Sequence, residues 1–263
     1  MKVVLFAGGL GTRLRDYDEN IPKPMATLGY RPIMWHLMKY YAHFGHKDFI
    51  LCLGYRADVI KQYFLTYKEA LSNDFVLSAG GDRVDLLGSD IHDWTITFVD
   101  TGLSTPIGER LRKVRHFLEG EEMFLANYTD CVSDLPLDRF IEAFRTEKRT
   151  AGFISVTPSQ SFHYVTATDG VVRGLTDIRS TNLRVNGGFF VFRQSIFDYL
   201  HEDEELVDAP FHRLIEKGEL MAYEYNGFWQ AMDTFKDKQQ LDALVAKGAP
   251  PWEVWKGNGK RSG

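Results

Sequence analysis

Short apolar segments alternate with amphipathic ones over most of the first 157 residues of this 263-residue chain. The apolar segments are typical of buried strands, and the segments between them place apolar residues at helical spacing, as Ile33, Leu37, Tyr40 and Tyr41 do. A chain that alternates strands and helices in this way packs as a parallel sheet with helices on both faces. The sequence therefore predicts an α/β protein with a doubly wound, mostly parallel sheet.

The individual elements of this sheet can be predicted along the chain. Strands are predicted over residues 3–6, 48–53, 94–99, 122–127 and 152–157. Helices are predicted over residues 32–44, 57–67, 107–118 and 138–148.

Two segments interrupt the alternation and are predicted as inserts. Residues 72–93 are polar and contain glycine, and residues 164–176 contain the hairpin-turn signal Thr168-Asp169-Gly170. From about residue 250 the chain is irregular, and residues 256–263 are expected to be mobile. Because no linker or internal repeat divides the sequence, we expect a single domain over residues 1–263 with inserted hairpins.

The first predicted strand leads directly into a glycine-rich loop. Residues 3–14 read VVLFAGGLGTRL, and Pro22-Lys23-Pro24-Met25 follows. Glycines let a ligand approach the main chain closely, and successive free N–H groups can cradle a phosphate. Arg13 and Lys23 would supply the positive charge that a triphosphate needs, so both are candidate catalytic residues. The predicted nucleotide-binding residues of this segment are Ala7, Gly8, Gly9, Gly11, Thr12, Arg13 and Lys23.

Two other glycine motifs do not fit this loop. A P-loop requires Lys-Ser or Lys-Thr after its last glycine, and none follows Gly11. The dinucleotide fingerprint requires glycine or alanine at a position that Leu14 occupies when counting starts at Gly9. A glycine-rich turn without a ligand is the alternative, and the positions of Arg13 and Lys23 favour a nucleotide site over it.

Composition narrows the classes of partner and compartment. The formal net charge of −5 argues against a nucleic-acid partner. Cys52 and Cys131, the only cysteines, lie in or beside apolar segments and predict two buried thiols in a reducing compartment. No signal-peptide pattern precedes the first strand, and no apolar run approaches the roughly twenty residues needed to span a bilayer. We therefore expect a cytoplasmic protein without a membrane partner.

Several motifs resemble those of the sugar nucleotidyltransferases, which join a nucleotide to a sugar 1-phosphate. They are LFAGGLGTRL, KPM, PIMWHLMKYY, GYR, VDTG, GERL, NGGFFV and GFWQAMDT. These motifs extend over nearly the whole chain and are most similar to those of the glucose-1-phosphate cytidylyltransferases. The resemblance implies a Rossmann-like nucleotidyltransferase fold and a reaction of CTP with a sugar 1-phosphate that releases pyrophosphate.

Asp130 and Asp233 are the candidate metal ligands. Asp130 follows an apolar strand at its carboxyl end, and Asp233 lies at a strand-to-helix junction. Mg²⁺ that accompanies a triphosphate is held by one or two carboxylates plus phosphate oxygens, and the resemblance assigns Mg²⁺ to these two residues. Each aspartate alone also fits a structural role, in a turn or at a helix N-terminus. The Gly-Asp-Gly usual in the family has become Thr129-Asp130-Cys131.

Arg110 is the next candidate cation for the nucleotide, on the predicted helix after the VDTG segment. A solvated helix arginine is the alternative, because Arg112, Lys113 and Arg115 crowd the same helix. Tyr128, two residues before Asp130, completes the predicted nucleotide-binding set.

The acceptor side departs from the family pattern. Members usually carry Glu-Lys-Pro before Asn-Gly-Gly, and the resemblance implies that this glutamate contacts sugar hydroxyls and this lysine the sugar phosphate. Here the corresponding residues are Asp177, Ile178 and Arg179, and Ile178 cannot bind phosphate. Arg179 is displaced by one position, which in a strand turns a side chain to the opposite face. The candidate acceptor-binding residues are Tyr164, Asp177, Arg179, Asn186 and Gly187.

The motifs thus favour a Mg²⁺-dependent cytidylyltransferase that acts on CTP and a small phosphorylated acceptor, with glucose 1-phosphate implied by the resemblance. One alternative is a cytidylyltransferase for a different phosphate monoester. Another is a non-catalytic relative that binds nucleotide, which the retention of Lys23, Asp130 and Asp233 argues against. A homo-oligomer is also considered, because Trp252 and Trp255 near the tail could pack between subunits or in the core.

Overall fold

The structure is a computed structural model that describes residues 1–9, 21–159 and 162–256. Its strands are β1 (Lys2–Phe6), β2 (Thr27–Leu28), β3 (Arg31–Pro32), β4 (Asp48–Leu53), β5 (Phe75–Ser78), β6 (Arg83–Leu86), β7 (Thr95–Asp100), β8 (Met123–Asn127), β9 (Cys131–Ser133), β10 (Ala151–Val156), β11 (His163–Thr168), β12 (Val171–Asp177), β13 (Val185–Arg193), β14 (Leu220–Tyr225) and β15 (Trp229–Ala231). Its α-helices are α1 (Ile33–His43), α2 (Ala57–Leu65), α3 (Ile107–Lys113), α4 (Leu137–Glu147), α5 (Ala209–Glu216) and α6 (Phe235–Ala246).

A seven-stranded sheet in the order β14-β10-β13-β8-β1-β4-β7 forms the centre of the fold. β1 pairs in parallel with β4 and β8, and β4 pairs in parallel with β7. β13 is antiparallel to both of its neighbours, β8 and β10, while β10 and β14 are parallel. Six of the seven strands therefore share one direction, which confirms the predicted mostly parallel sheet.

Helices cover both faces of this sheet. Because side chains alternate along a strand, Val3 and Leu5 of β1 join a core cluster under α1, α2 and α4. Val4 and Phe6 face the other way and pack with residues of α3 and α5. A sheet buried on both faces requires nearly continuous apolar strands, which is the pattern that the sequence shows.

The helices and strands predicted from periodicity are present to within one residue, apart from the ends of two helices. α2 stops at Leu65, where the hydroxyl of Thr66 donates to the Gln62 carbonyl at 2.8 Å and competes with helix continuation. The helix predicted over residues 107–118 is divided into α3 and a 3₁₀ turn over Arg115–Leu118. Tight turns of this kind are common at helix ends.

Both interrupting segments form two-stranded hairpins outside the main sheet. β5 and β6 pair within the insert over residues 72–93, and β11 pairs with β12. Asp169 and Gly170 both have positive φ, 50° and 77°, as the predicted hairpin turn requires. Two further small sheets pair β2 with β3, shortly after Lys23, and β9 with β15, which lie next to Asp130 and Asp233 in sequence.

The end of the described chain packs against the start of α1. Trp252 is buried between His36 and Phe228, and Trp255 lies edge-on to Trp35. Trp252 is therefore a core residue in this structure. Residues 257–263 of the expected tail lie outside the described residues. None of the helices in the described part of the chain has the length and apolar character needed to cross a membrane.

Candidate functional site

Several of the predicted site residues in the described part of the chain lie at the edge of the sheet where the parallel strands end. β1 ends at Phe6 and continues into Ala7, Gly8 and Gly9, whose backbone is anchored to the next strand by the Ala7 N–H donating to the Cys52 carbonyl at 3.0 Å. β8 ends at Asn127 beside β1. Because β13 runs the opposite way, its first residues reach this same edge. The antiparallel strand β13 therefore places Asn186 and Gly187 near the carboxyl ends of the parallel strands.

Lys23 lies between two carboxylates that are far apart in sequence. Its Nζ is 2.7 Å from Asp130 Oδ2 and 2.7 Å from Asp233 Oδ1. The three side chains are 14%, 27% and 28% exposed, so the cluster is sheltered yet reachable from solvent. The structure therefore brings together the predicted cation and both predicted metal ligands.

The local structure on each side of the cluster explains its geometry. Lys23 begins a 3₁₀ turn over Lys23–Met25 with Pro24 at its second position, which restricts the backbone that carries the ammonium. Asp233 directly precedes the N-cap residue Thr234 of α6. The Asp237 carboxylate accepts from the Asp233 N–H at 3.1 Å and from the Thr234 N–H at 2.8 Å. This capping box fixes the backbone at Asp233.

A direct hydrogen bond couples the two aspartate segments. The N–H of Met232 donates to the carbonyl oxygen of Asp130 at 2.8 Å, and β9 pairs with β15 in the same ladder. The carboxylates of Asp130 and Asp233 are therefore held on two hydrogen-bonded backbones that cannot separate freely.

The electrostatics of the cluster are dominated by the three charges. Burial by itself would lower the pKa of the Lys23 ammonium, but the carboxylates of Asp130 and Asp233 outweigh it and raise that pKa above its ordinary value. Lys23 is therefore charged at neutral pH, and the three side chains together carry one net negative charge.

The two carboxylates also fit a Mg²⁺ ion. Their oxygens converge on a single cationic group, the Lys23 ammonium, which marks the position where positive charge is accommodated. Within the described ranges, no group of three or more His, Cys, Asp or Glu residues could hold a metal. A site with only two protein carboxylates suits Mg²⁺, which keeps waters and takes substrate phosphate oxygens as its other ligands.

The turn that carries Asp130 has an unusual backbone. Thr129 has a φ of +68°, in the left-handed region where a β-branched residue costs roughly 1–2 kcal/mol. Its hydroxyl donates to the Phe6 carbonyl at 3.0 Å and also reaches the Tyr128 carbonyl, and its N–H donates to Asn127 Oδ1 at 3.0 Å. Thr129 is 1% exposed. The strained turn is therefore tied to the end of β1, from which the glycine loop starts.

Arg110 lies against the beginning of the glycine loop. Its guanidinium donates to the carbonyl oxygens of Gly8, Leu53 and Leu103, at 3.1, 3.1 and 3.2 Å, and to the Thr101 hydroxyl at 2.6 Å. It is 2% exposed, and burial lowers the pKa of this guanidinium. These contacts give Arg110 a role in holding the loop. A direct contact with nucleotide stays a prediction, and the solvated alternative is wrong for this side chain.

Gly8 is required by this arrangement. A Cβ atom at residue 8 would lie 2.1 Å from the nearest guanidinium nitrogen of Arg110. The absence of a side chain therefore lets an arginine reach the loop carbonyl from the protein side. Gly11, Thr12 and Arg13, which are predicted to continue the nucleotide site, lie outside the described residues.

Tyr128, Asn186 and Gly187 form one packed group beside Asp130. The Asn186 side chain accepts from the Gly188 N–H at 2.9 Å and hydrogen-bonds the Tyr128 hydroxyl. Burial raises the pKa of Tyr128 well above its ordinary value, so its hydroxyl is neutral. Trp229 donates its indole N–H to the Gly187 carbonyl at 2.8 Å. This group forms a rigid wall next to the aspartates.

The other predicted acceptor residues lie on the β11–β12 hairpin or just after it. Tyr164 on β11 is 55% exposed. The Asp177 carboxylate accepts from Arg179, with Nε at 2.9 Å from Oδ1, and caps the turn that follows β12. Arg179 is thus paired with Asp177, and its contact with an acceptor phosphate stays a prediction. This hairpin is a separate sheet from the β9–β15 pair, which Asp130 precedes and Asp233 follows.

Sequence reasoning missed three residues that support the site. Thr101 connects Arg110 to β4, Asn127 caps the turn at Thr129, and Thr129 holds that turn to β1. The signal for Thr129 was present, because it stands where the family pattern has glycine. Thr101 lies within the VDTG motif, whereas nothing in the local sequence distinguishes Asn127 from another strand-end amide.

Comparison with known proteins supports the motif-based family resemblance. The family model for nucleotidyl transferases matches residues 2–237. The glucose-1-phosphate cytidylyltransferase of Salmonella typhimurium (strain LT2) is 38% identical over 257 residues, covering 97% of this chain and 100% of that protein. The mannose-1-phosphate guanyltransferase of Gibberella zeae is 23% identical over 263 residues, covering 95% of this chain and 66% of that protein. The structure of a UDP-glucose pyrophosphorylase complexed with UDP-glucose has a TM-score of 0.67 at 16% identity and covers 94% of this chain and 98% of that one.

The structural likeness establishes the fold, and the sequence matches establish the family. By the family model and the full-length match together, this chain belongs to the nucleotidyl transferase family.

Proposed function

We propose that this protein is a Mg²⁺-dependent cytidylyltransferase that joins CTP to a sugar 1-phosphate and releases pyrophosphate. The observation that carries the proposal is the Lys23 ammonium between the carboxylates of Asp130 and Asp233, each 2.7 Å away. This cluster lies beside the glycine loop at the ligand-binding edge of an α/β sheet. It combines the cation and the anionic oxygens that a metal-bound triphosphate requires.

The reaction needs alignment and charge neutralisation more than proton transfer. An oxygen of the acceptor phosphate, already ionised at neutral pH, forms a bond to the α-phosphorus of CTP. The bond from that phosphorus to the bridging oxygen breaks, and pyrophosphate leaves with the electron pair. Lys23 would bind the phosphates where negative charge develops, and the glycine-loop N–H groups would orient them.

Asp130 and Asp233 would hold the Mg²⁺ ion. When bound there with the triphosphate, the ion would draw charge away from the α-phosphate and orient the leaving group. The two carboxylates position it through their hydrogen-bonded backbones. Lys23 would then interact with phosphate oxygens as well as with carboxylate.

The glucose-1-phosphate cytidylyltransferase of Salmonella typhimurium, which this chain matches over that protein's whole length, supports CTP as the nucleotide and glucose 1-phosphate as the acceptor. The guanyltransferase relative matches with lower identity. CTP is therefore the nucleotide, and glucose 1-phosphate the acceptor, that we propose first.

A second candidate keeps the same chemistry with a different phosphate monoester as acceptor. It is favoured by Ile178, which replaces the phosphate-binding lysine of the family pattern. The pairing of Arg179 with Asp177 also favours it, because this pairing leaves that arginine's charge already compensated. The candidate acceptor residues on the same sheet edge as the aspartates are then Asn186 and Gly187.

A homo-oligomer stays a prediction, which light scattering would test.

The deciding experiment measures pyrophosphate release with CTP, UTP, ATP, GTP and dTTP, each with a panel of sugar 1-phosphates and other phosphate monoesters. Activity with CTP and glucose 1-phosphate supports the first candidate. Activity with CTP and only another monoester supports the second. No turnover with any pair, by a folded protein, would reject both and leave the non-catalytic relative.

Asp130→Asn and Asp233→Asn test the metal assignment. Each change removes one negative charge and little volume, so we expect Mg²⁺-dependent turnover to be abolished while the fold remains. Asp93→Asn is the matched control, since Asp93 pairs with Lys47 near the start of β4, at the opposite edge of the sheet. Wild-type metal dependence in either site variant would show that the residue is not a ligand.

A further inference from the structure

Thr129 combines a conformational cost with a central position in the site. Its φ of +68° is one that L residues rarely adopt, and it immediately precedes Asp130. Glycine adopts this conformation without crowding, and the family pattern has glycine here. A β-branched residue persists in such a conformation only when the surrounding contacts hold it there.

The contacts that hold Thr129 reach the ends of β1 and β8, and the next residue, Asp130, is bonded to the segment of Asp233. Its hydroxyl lies 3.0 Å from the carbonyl of Phe6, the last residue of β1, and shares its one proton between that carbonyl and the Tyr128 carbonyl at 2.5 Å. Its N–H donates to the side chain of Asn127 at the end of β8. The next residue, Asp130, accepts from Met232, which directly precedes Asp233. The turn is therefore fixed to the strands on both sides and to the second aspartate.

We propose that Thr129 is a positioning residue whose hydroxyl sets the Asp130 carboxylate in place for the divalent cation. This inference rests on the proposed metal role of Asp130 and Asp233. In a glycine turn the backbone would adopt the same φ without strain but also without the bond to β1. The threonine hydroxyl instead fixes the distance between the end of β1 and Asp130.

The test compares Thr129→Gly with Thr129→Ser. Thr129→Gly relieves the strained φ and removes the hydroxyl, whereas Thr129→Ser keeps the hydroxyl and removes only the methyl group. We expect Thr129→Gly to bind Mn²⁺ about three- to tenfold more weakly, since one hydrogen bond that orders a ligand is lost. Thr129→Ser should bind Mn²⁺ within about twofold of the unmodified protein.

Mn²⁺ affinity is measured by water-proton relaxation in the presence of CTP, and thermal unfolding is measured in parallel. A purely structural role would lower the melting temperature and leave metal affinity unchanged. The positioning role predicts weaker metal binding in Thr129→Gly without a matching fall in melting temperature. At saturating Mg²⁺ its turnover should recover, while the Mg²⁺ concentration for half-maximal activity rises.

Lys148→Gly is the matched control for relief of backbone strain. Lys148 also has positive φ, 54°, but it ends α4 at the opposite edge of the sheet. This change should leave Mn²⁺ affinity unaltered. Unchanged affinity in Thr129→Gly, or an equal loss in Thr129→Ser, would overturn the role of Thr129 alone. Failure of the unmodified protein to bind Mn²⁺ would overturn the metal assignment together with it.

Discussion

Lys23 is the residue on which most of the site chemistry converges. Its ammonium contacts both proposed metal ligands, and the carboxylates keep it charged at neutral pH. We expect Lys23→Ala to lower turnover at least about tenfold, because a cation that neutralises transferring phosphates contributes a few kcal/mol to the transition state. Steady-state kinetics with CTP on protein shown to be folded by circular dichroism checks this.

The control for this change is a lysine of similar pairing away from the site. Lys47 forms an ion pair with Asp93 beside the start of β4, so Lys47→Ala removes one paired charge at the far edge of the sheet. It should leave turnover unchanged. If Lys23→Ala behaved like Lys47→Ala, the triphosphate role of Lys23 would be wrong.

The identities of Lys23, Asp130 and Asp233 were accessible from sequence, and so was the unusual residue type at Thr129, but the conformation of Thr129 was not. Asp130 and Asp233 each follow a predictable strand, and strand ends place side chains at the ligand edge. Thr129 has no intrinsic preference for positive φ, so its conformation is set by distant contacts with Phe6 and Asn127. Such contacts depend on tertiary structure that no local pattern encodes.

Among the elements, α3 and the loop after β1 depend on one another through Arg110. This side chain satisfies four acceptors from the loop, from β4 and from the segment before α3. Arg110→Met would remove four hydrogen bonds of a buried guanidinium, each contributing about 0.5–1.5 kcal/mol, although the Leu53 and Gly8 carbonyls keep backbone donors. We expect the free energy of unfolding to fall by about 2 kcal/mol or more, measured by urea denaturation.

Arg112→Met provides the comparison on the same helix. Arg112 is 36% exposed and pairs with Glu109 one turn earlier, so its loss should change stability by less than about 1 kcal/mol. Equal effects of the two substitutions would mean that the contacts of Arg110 with the loop contribute little.

The turn after β12 bears on acceptor choice. Ile178 begins this turn directly after the capping Asp177, at the place of the family's phosphate-binding lysine. Ile178→Lys is expected to lower the KM for glucose 1-phosphate by about ten- to a hundredfold, the effect of one charge-assisted phosphate contact. Under the second candidate, the unmodified enzyme uses glucose 1-phosphate weakly and another phosphate monoester better.

Ile178→Gln separates charge from polarity at this turn, since glutamine is polar and close to lysine in length. It should leave the KM unchanged. Efficient use of glucose 1-phosphate by the unmodified enzyme would contradict this interpretation of the turn. Arg179→Ala would then report on the neighbouring arginine, with unchanged kinetics showing that it does not contact the acceptor phosphate.

At the scale of the whole molecule, stability should depend on pH through a buried histidine. His36 is 1% exposed, with Nε2 3.0 Å from the Leu28 carbonyl and Nδ1 3.3 Å from the Trp252 indole N–H. Burial lowers the pKa of His36 to about 4, despite the Glu253 carboxylate 3.9 Å away. Between about pH 6.5 and pH 4, the unfolded chain therefore binds a proton at His36 that the folded protein does not bind.

Stability is consequently lost as the pH falls from about 6.5 towards 4, and the loss levels off below the folded pKa. A pKa lowered from 6.5 to about 4 corresponds to roughly 3 kcal/mol. Urea unfolding as a function of pH should show this slope, and His36→Gln should reduce it. His201→Gln, at a histidine whose side chain is 65% exposed, should leave the slope unchanged.

Most of the architecture was predictable because it rests on strong local signals. The strand over residues 48–53 matches its predicted bounds, since a continuous apolar run between polar turns admits little else. The division of residues 107–118 was not predictable, because helical periodicity does not distinguish an α-helix from a helix that ends in a 3₁₀ turn. Pairing of Arg179 with Asp177 likewise depends on the turn that they share.

The lysine between the two aspartates has a consequence for how the substrates assemble. The Lys23 ammonium already lies between the carboxylates, so a metal bound at the proposed site would arrive by exchange. That exchange becomes favourable when a nucleotide offers the displaced ammonium a new set of oxygens. Metal and nucleotide should therefore each bind more tightly in the presence of the other, by the same factor in both directions. Calorimetric titration of Mg²⁺ with and without CTP, and of CTP with and without Mg²⁺, would measure this coupling in both directions.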